Sequence, residues 1–274
     1  MLRKKQLLLQ KMRNKNTKPV IKVNVSTTQK LNDNIDLQPE LSKKLDITIV
    51  LSRYNENLNW INSGPYNKYF ISCYNKGQNT NFDIKSPHKI INLKNVGKCD
   101  HTYLYHIINN YDNLSEYIIF LPGSCDLLYK RRKSKSLINY IEYHKQLVNL
   151  VSIAPDNIKN KFYNLKIDNY KTTHPVNVIN GNNETQKSNI RPFGLWYSHH
   201  FNDIDINMYT WWGIFAITRD IIHQHPKEYY QQFLNELENS PNPEVGHYIE
   251  RVWIAIFHPM DNCKFINYKF NMNK

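Results

Sequence analysis

Apolar residues along this chain gather in short unbroken runs rather than alternating singly with polar ones. The clearest runs are Asp46–Leu51, Tyr69–Tyr74, Lys89–Leu93 and Glu116–Leu121. Each is rich in β-branched or aromatic residues. Such runs predict strands buried on both faces, as in a parallel sheet. They stop at polar, Gly- or Pro-containing segments: Ser52–Glu56, Asn75–Gly77, Asn95–Gly97 and Pro122–Gly123. Before the fourth run, Tyr103, Leu104, Ile107 and Ile108 recur at helical spacing and predict a helix over Asp100–Asn110. Further helices are expected from Leu58, over Leu137–Leu150, over Arg219–Gln232 and over Val245–Phe257. Glu244 is placed to help cap the last. Met208–Thr218 is aromatic and apolar and predicts a strand, whereas Ser152–Asn202 has weak periodicity and reads as a functional loop region or an insertion. Strands alternating with helices predict an α/β fold, with a mainly parallel central sheet and helices on both faces.

The same pattern sets the domain boundary. Residues 1–45 are rich in Lys, Asn, Gln, Ser and Thr and predict a basic, solvated arm, with Leu2–Met12 as a candidate short helix for a membrane surface or a partner. Residues 46–274 form one α/β domain in this reading. The chain has 36 Lys and Arg against 23 Asp and Glu, a net charge of +13. Two readings stand: AT-rich codon usage, or attraction to an anionic partner. No RNP motif, zinc-finger spacing or helix-turn-helix pattern is present, so no specific nucleic-acid partner is expected. Cys73, Cys99, Cys125 and Cys263 form no CxxC pair and read as thiols of a reducing compartment. No apolar stretch approaches the roughly 20 residues that span a bilayer, and Leu7–Leu9 is too short for a signal-peptide core. A cytoplasmic location is the expectation.

In open α/β sheets ligands bind at the carboxyl ends of the strands. That rule collects Ser52–Glu56, Asn75–Gly77, Asn95–Asp100 and Pro122–Asp126 into one cleft. Arg53, Lys76 and Lys98 would offer positive charge to a diphosphate. Tyr54 would stack on a base, and Asn55, Asn95 and Asp100 would hydrogen-bond a base or ribose. Each also has an ordinary reading, Asn95–Gly97 as a turn and Asp100 as a helix start. Near the C-terminus, Glu244, His247, Glu250 and Arg251 share a helix, with His247 and Glu250 at neighbouring positions. This is either a general base beside a histidine or a structural Glu–Arg network. HExxH, GxSxG and GxxxxGK[ST] are all absent, which argues against a zincin, an esterase elbow and a P-loop kinase.

Taken together, Ser52–Trp60, Asn95–Lys98, His101–Leu104, Tyr111–Leu114, Phe120–Gly123 and Gly246–Trp253 resemble an uncharacterised glycosyltransferase-like family known from fungi and large DNA viruses. Tyr54-Asn55-Glu56 after the first strand is similar to the opening of GT-A glycosyltransferases. The resemblance implies a GT-A-like, Rossmann-like domain. It implies a nucleotide-sugar donor held over the strand ends by Arg53, Tyr54, Asn55, Glu56, Lys76, Asn95, Gly97, Lys98 and Asp100. It also implies a glycan or protein hydroxyl acceptor near Trp211, Trp212 and Gly213, and Glu250 or Glu244 as the base, with His247 beside it. GT-A enzymes carry Asp-x-Asp after the fourth strand for Mn or Mg. Here that segment offers only Asp126. Three readings follow: metal-independent transfer using Arg53, Lys76 or Lys130–Lys133; Asp126 with one other ligand; or a non-catalytic binding protein for a glycan, a nucleotide or a polyanion.

Overall fold

Along the central strands, side chains alternate between two apolar layers. Val50, Ile118, Phe120, Phe215 and Ile217 face one core, and Ile49, Leu51, Ile119, Leu121 and Ala216 face the other. Burial on both faces is why these strands read as continuous apolar runs. The computed structural model describes residues 45–144, 149–154, 157–172, 174–177, 184–201, 204, 208–260 and 263–267. The expected basic arm lies outside them, apart from Leu45.

The strands are β1 (Ile47–Arg53), β2 (Phe70–Asn75), β3 (His88–Asn92), β4 (Tyr117–Pro122), β5 (Asn149–Ala154), β6 (Tyr209–Thr218) and β7 (Cys263–Asn267), in the order β3-β2-β1-β4-β6-β5-β7. β1 is parallel to both β2 and β4, with Leu51 opposite Cys73 on one side and Leu121 on the other. β3 is parallel to β2 and β7 to β5, while β6 runs antiparallel to both its neighbours. The helices are α1 (Lys98–Asn109), α2 (Leu128–His144), α3 (Ile158–Phe162), α4 (Phe193–Phe201), α5 (Arg219–Ile222), α6 (Lys227–Asn235) and α7 (Glu244–Ile256). α1, α4, α6 and α7 contribute to the first core, and α2 with the short turn Asn59–Asn62 to the second. The fold is therefore α/β, with a mainly parallel central sheet covered on both faces.

Three expected elements are drawn differently. The helix expected over Leu137–Leu150 is α2, which begins at Leu128 and ends at His144. Strand β5 then follows at Asn149. A short apolar run is ambiguous between helix and strand by periodicity, and pairing with β6 and β7 decides it. The helix expected over Arg219–Gln232 is broken into α5 and α6 at Pro226, which has no N–H to continue the ladder. The segment from Leu58 makes only a single 3-10 turn. No helix among the described residues is long and apolar enough to cross a membrane.

Candidate functional site

Because β2 and β4 flank β1 on opposite sides, the strand order reverses between β1 and β4. A crevice opens there at the carboxyl ends. A cleft of about 430 Å³ occupies this position. All four segments expected to converge contribute to it: Ser52, Arg53, Tyr54 and Glu56 after β1; Lys76 after β2; Asn95, Lys98 and Asp100 at the start of α1; Pro122 and Ser124 after β4. Trp211 and Trp212 of β6 with His247, Glu250 and Arg251 of α7 also line it.

The cationic side is built on an unusual helix start. Gly97 and Lys98 are both left-handed, at φ 58° and 52°. This pair turns the chain abruptly into α1. Lys76 holds the turn from beneath, its Nζ donating to the carbonyls of Val96 at 2.6 Å and Lys98 at 2.5 Å. Burial pushes its ammonium down to about 7. Lys98 Nζ donates to His247 Nε2 at 2.7 Å and sits 3.9 Å over the ring of Tyr170. Burial pushes Lys98 down to about 8, although Glu250 pulls the other way. The His247 imidazolium is pushed down to about 2 by burial and by the charges of Lys98 and Arg251. The ring is therefore neutral, which is what lets Nε2 accept. A Cβ on Gly97 would lie 2.6 Å from the Cβ of His101. Gly97→Ala is therefore expected to lose at least about 1–2 kcal/mol from the left-handed backbone alone, read as a lower urea midpoint, together with weaker anion binding as Lys98 shifts.

The acidic side holds two carboxyl groups. Glu250 Oε1 accepts the Trp212 N–H at 3.2 Å, and its side chain keeps 27% exposure, enough to meet a ligand. Asp100 is buried and accepts the Trp253 indole N–H at 2.8 Å. Burial, and then the charge of Glu250, push its carboxyl up to about 7.

The aromatic wall depends on a break in β6. Consecutive strand residues normally point to opposite faces, yet Trp211 and Trp212 both line the cleft. Trp212 and Gly213 are left-handed, at φ 69° and 62°, and the β5–β6 register shifts between Val151 and Ile153. This is the geometry of a bulge, which re-aims side chains. Trp211 then stacks on Arg251 and Trp212 on Lys133. The Tyr103 hydroxyl pins the bulge through the Gly213 carbonyl at 2.8 Å.

Other expected residues take supporting places. The Arg53 guanidinium donates to Asn75 Oδ1 at 2.7 Å, to the Asn79 carbonyl at 2.6 Å and to the Glu56 carbonyl at 3.0 Å. Its donors thus shape the loops under the cleft, and an incoming diphosphate would have to displace them. Glu56 accepts the Tyr54 N–H at 2.6 Å, and Asn55 accepts the Asn79 N–H at 3.1 Å, so both hold turns. Asn55, Gly97 and Gly213 do not line the cleft. Neither does Glu244. It is fully buried, and its carboxylate accepts from Ile167 N, Ser188 N, Tyr248 Oη and Arg191 Nη2. It stands in the first turn of α7, where a carboxylate favours the helix N-terminus as expected, although no side-chain cap bond forms there.

Sequence reading missed a strap. Ile167, Tyr170, Thr172 and His174 line the cleft. The strap is held at one end by Glu244 and at the other by His174 Nε2, 2.8 Å from Asp126 Oδ1. Weak periodicity around these residues was the only signal, because no pattern says which loop side chains turn inward. Asp126 is thereby engaged, and among the described residues no three His, Cys, Asp or Glu side chains gather as a metal site. These residues do not fit a divalent ion. Cys73 and Cys125 are buried and Cys99 half-buried, all three as free thiols.

Fold and cleft together define an α/β protein with a polar, cation-bearing cleft at the strand-order switch point. The chain belongs to the DUF3431 family of proteins of unknown function, whose model matches residues 48–268. No curated protein matches it. Among solved structures it is similar to HddC from Yersinia pseudotuberculosis, at 12% identity and a TM-score of 0.27 over 66% of this chain and 80% of that one. It is also similar to a CMP:2-keto-3-deoxy-manno-octonic acid synthetase complexed with CTP, at 10% identity and a TM-score of 0.29 over 69% and 82%. Similarity at these scores says nothing about activity.

Proposed function

We propose that this protein is a glycosyltransferase that moves a sugar from a nucleotide-sugar donor to a hydroxyl acceptor. The observation that carries this reading is one partly exposed carboxylate, Glu250, lining the same switch-point cleft as the cationic start of α1. Glu250 takes the acceptor proton, and the acceptor oxygen bonds to the anomeric carbon. The bond from that carbon to the donor diphosphate breaks, and the electron pair leaves with the diphosphate. Lys98 and Lys130, the latter bonded to Ser124 Oγ at 2.8 Å, meet the charge that develops there. Tyr54 and Asn95 lie on the same side and are suited to the nucleoside. No step is routed through a metal. A second reading, a binding protein for a glycan, nucleotide or polyanion, is favoured by the internal commitments of Arg53 and Lys76.

A thermal-shift and calorimetric screen of nucleotide sugars and nucleoside diphosphates tests the proposal. One donor is expected to raise the melting temperature, and its affinity should fall as the pH rises through about 8. The sign follows from Lys98, whose charged form alone attracts the anion and whose proton is lost near that pH. Proton uptake on binding, measured in buffers of different ionisation enthalpy, should accompany the fall. The transferase reading does not survive a screen in which no donor binds.

A further inference from the structure

Arg251 uses only part of its guanidinium. Nη1 donates to the His247 carbonyl at 2.5 Å and lies 3.8 Å from Glu250 Oε2. Nε is buried without a hydrogen-bond partner. The side chain is 9% exposed and lines the cleft. Its plane is held between two rings, with the guanidinium carbon 4.6 Å from the centre of Trp211 and 5.0 Å from that of Phe162. Buried donors are almost always paired in folded proteins, and an orphan calls for an explanation. The Nε–Nη2 edge of a guanidinium carries two parallel N–H groups at the spacing of carboxylate or phosphate oxygens.

The groups around it fit an anion on that edge. Lys98 adds positive charge nearby, whereas Glu250 faces Nη1, the opposite corner of the guanidinium. Trp211, against which the guanidinium stacks, lines the same cleft. We propose that the Nε–Nη2 edge of Arg251 binds an oxyanion, carboxylate or phosphate, carried by the second substrate. Under the transferase reading, on which this last assignment rests, the acceptor is therefore an acidic molecule. Its anionic group docks on Arg251 while its hydroxyl meets Glu250.

The test is calorimetric titration of the full chain with inorganic phosphate and with acetate at constant ionic strength, with and without saturating pyrophosphate. At least one of the two anions is expected to bind with pyrophosphate in place. Binding of acetate alone marks a carboxylate group, and of phosphate alone a phosphate group. Arg251→Gln should weaken that binding by at least about tenfold, and Arg251→Lys should recover only part of it, since an ammonium lacks the two parallel donors. Pyrophosphate affinity should stay unchanged in both variants. Three results overturn the proposal: neither anion binds wild type, Arg251→Gln binds the anion equally well, or Arg251→Gln loses pyrophosphate instead, which would place Arg251 on the donor side. If Arg251→Gln does not fold, Arg251→Lys decides, and full wild-type affinity in that variant overturns the idea. Arg251-dependent anion binding without any nucleotide-sugar binding would sink the transferase reading and leave the oxyanion site standing.

Discussion

Glu250→Gln is expected to lower turnover by about 10²–10⁴-fold, the range for loss of a general base, while donor affinity stays close to wild type. Glutamine has the shape of glutamate. Its amide oxygen can still accept the Trp212 N–H, so the bulge in β6 should keep its place. What is lost is the ability to take a proton. The same substitution removes a negative charge that raises Asp100. The Asp100 carboxyl should therefore titrate below its present value of about 7, and carbon-detected NMR of the labelled side chain would read this. The two measurements separate the outcomes. A variant that binds donor, shifts Asp100 and keeps full turnover would acquit Glu250. It would leave Asp100 and Glu56 as the other carboxyl groups that line the cleft.

Glu244→Ala is expected to be the most destabilising of the changes considered, by about 3 kcal/mol, because it leaves several buried donors without an acceptor. The N–H groups of Ile167 and Ser188 and the Tyr248 hydroxyl all lose their carboxylate. Arg191 loses a partner too, but it is partly exposed and can turn to solvent. Its share is correspondingly small. Urea unfolding should show a lower midpoint at unchanged slope. Because Ile167 opens the strap that carries Tyr170, Thr172 and His174 over the cleft, ligand affinity should fall as well. Turnover at saturation should suffer far less than in Glu250→Gln. A stable Glu244→Ala variant with no turnover would reverse the roles given to these two residues.

The sequence went far in places where a local pattern carries the physics. Burial on both faces makes β1, β2 and β4 continuous apolar runs, and the chemistry of a parallel sheet then puts their polar ends at one edge. That is how Ser52–Glu56, Asn75–Gly77, Asn95–Asp100 and Pro122–Asp126 could be grouped from the sequence. It fell short at β5, whose identity as a strand depends on partners distant in the chain. It also fell short in the weakly patterned stretch from Ser152 to Asn202, where inward-facing side chains such as Tyr170 and His174 follow no period.

By itself, then, the sequence determined the α/β class and the polar strand ends that line the cleft, because strand burial and strand-end polarity are written locally. Only the tertiary structure decided what each charged group does. It tied Arg53 and Lys76 to internal acceptors, buried Glu244 in a network under the strap, and left Glu250 and Arg251 lining the cleft. Glu244, Glu250 and Arg251 share one helix within seven residues. Their fates diverge because a helix turns successive side chains toward different surroundings, and which surroundings those are depends on β6, the strap and α1, none of which is local to α7.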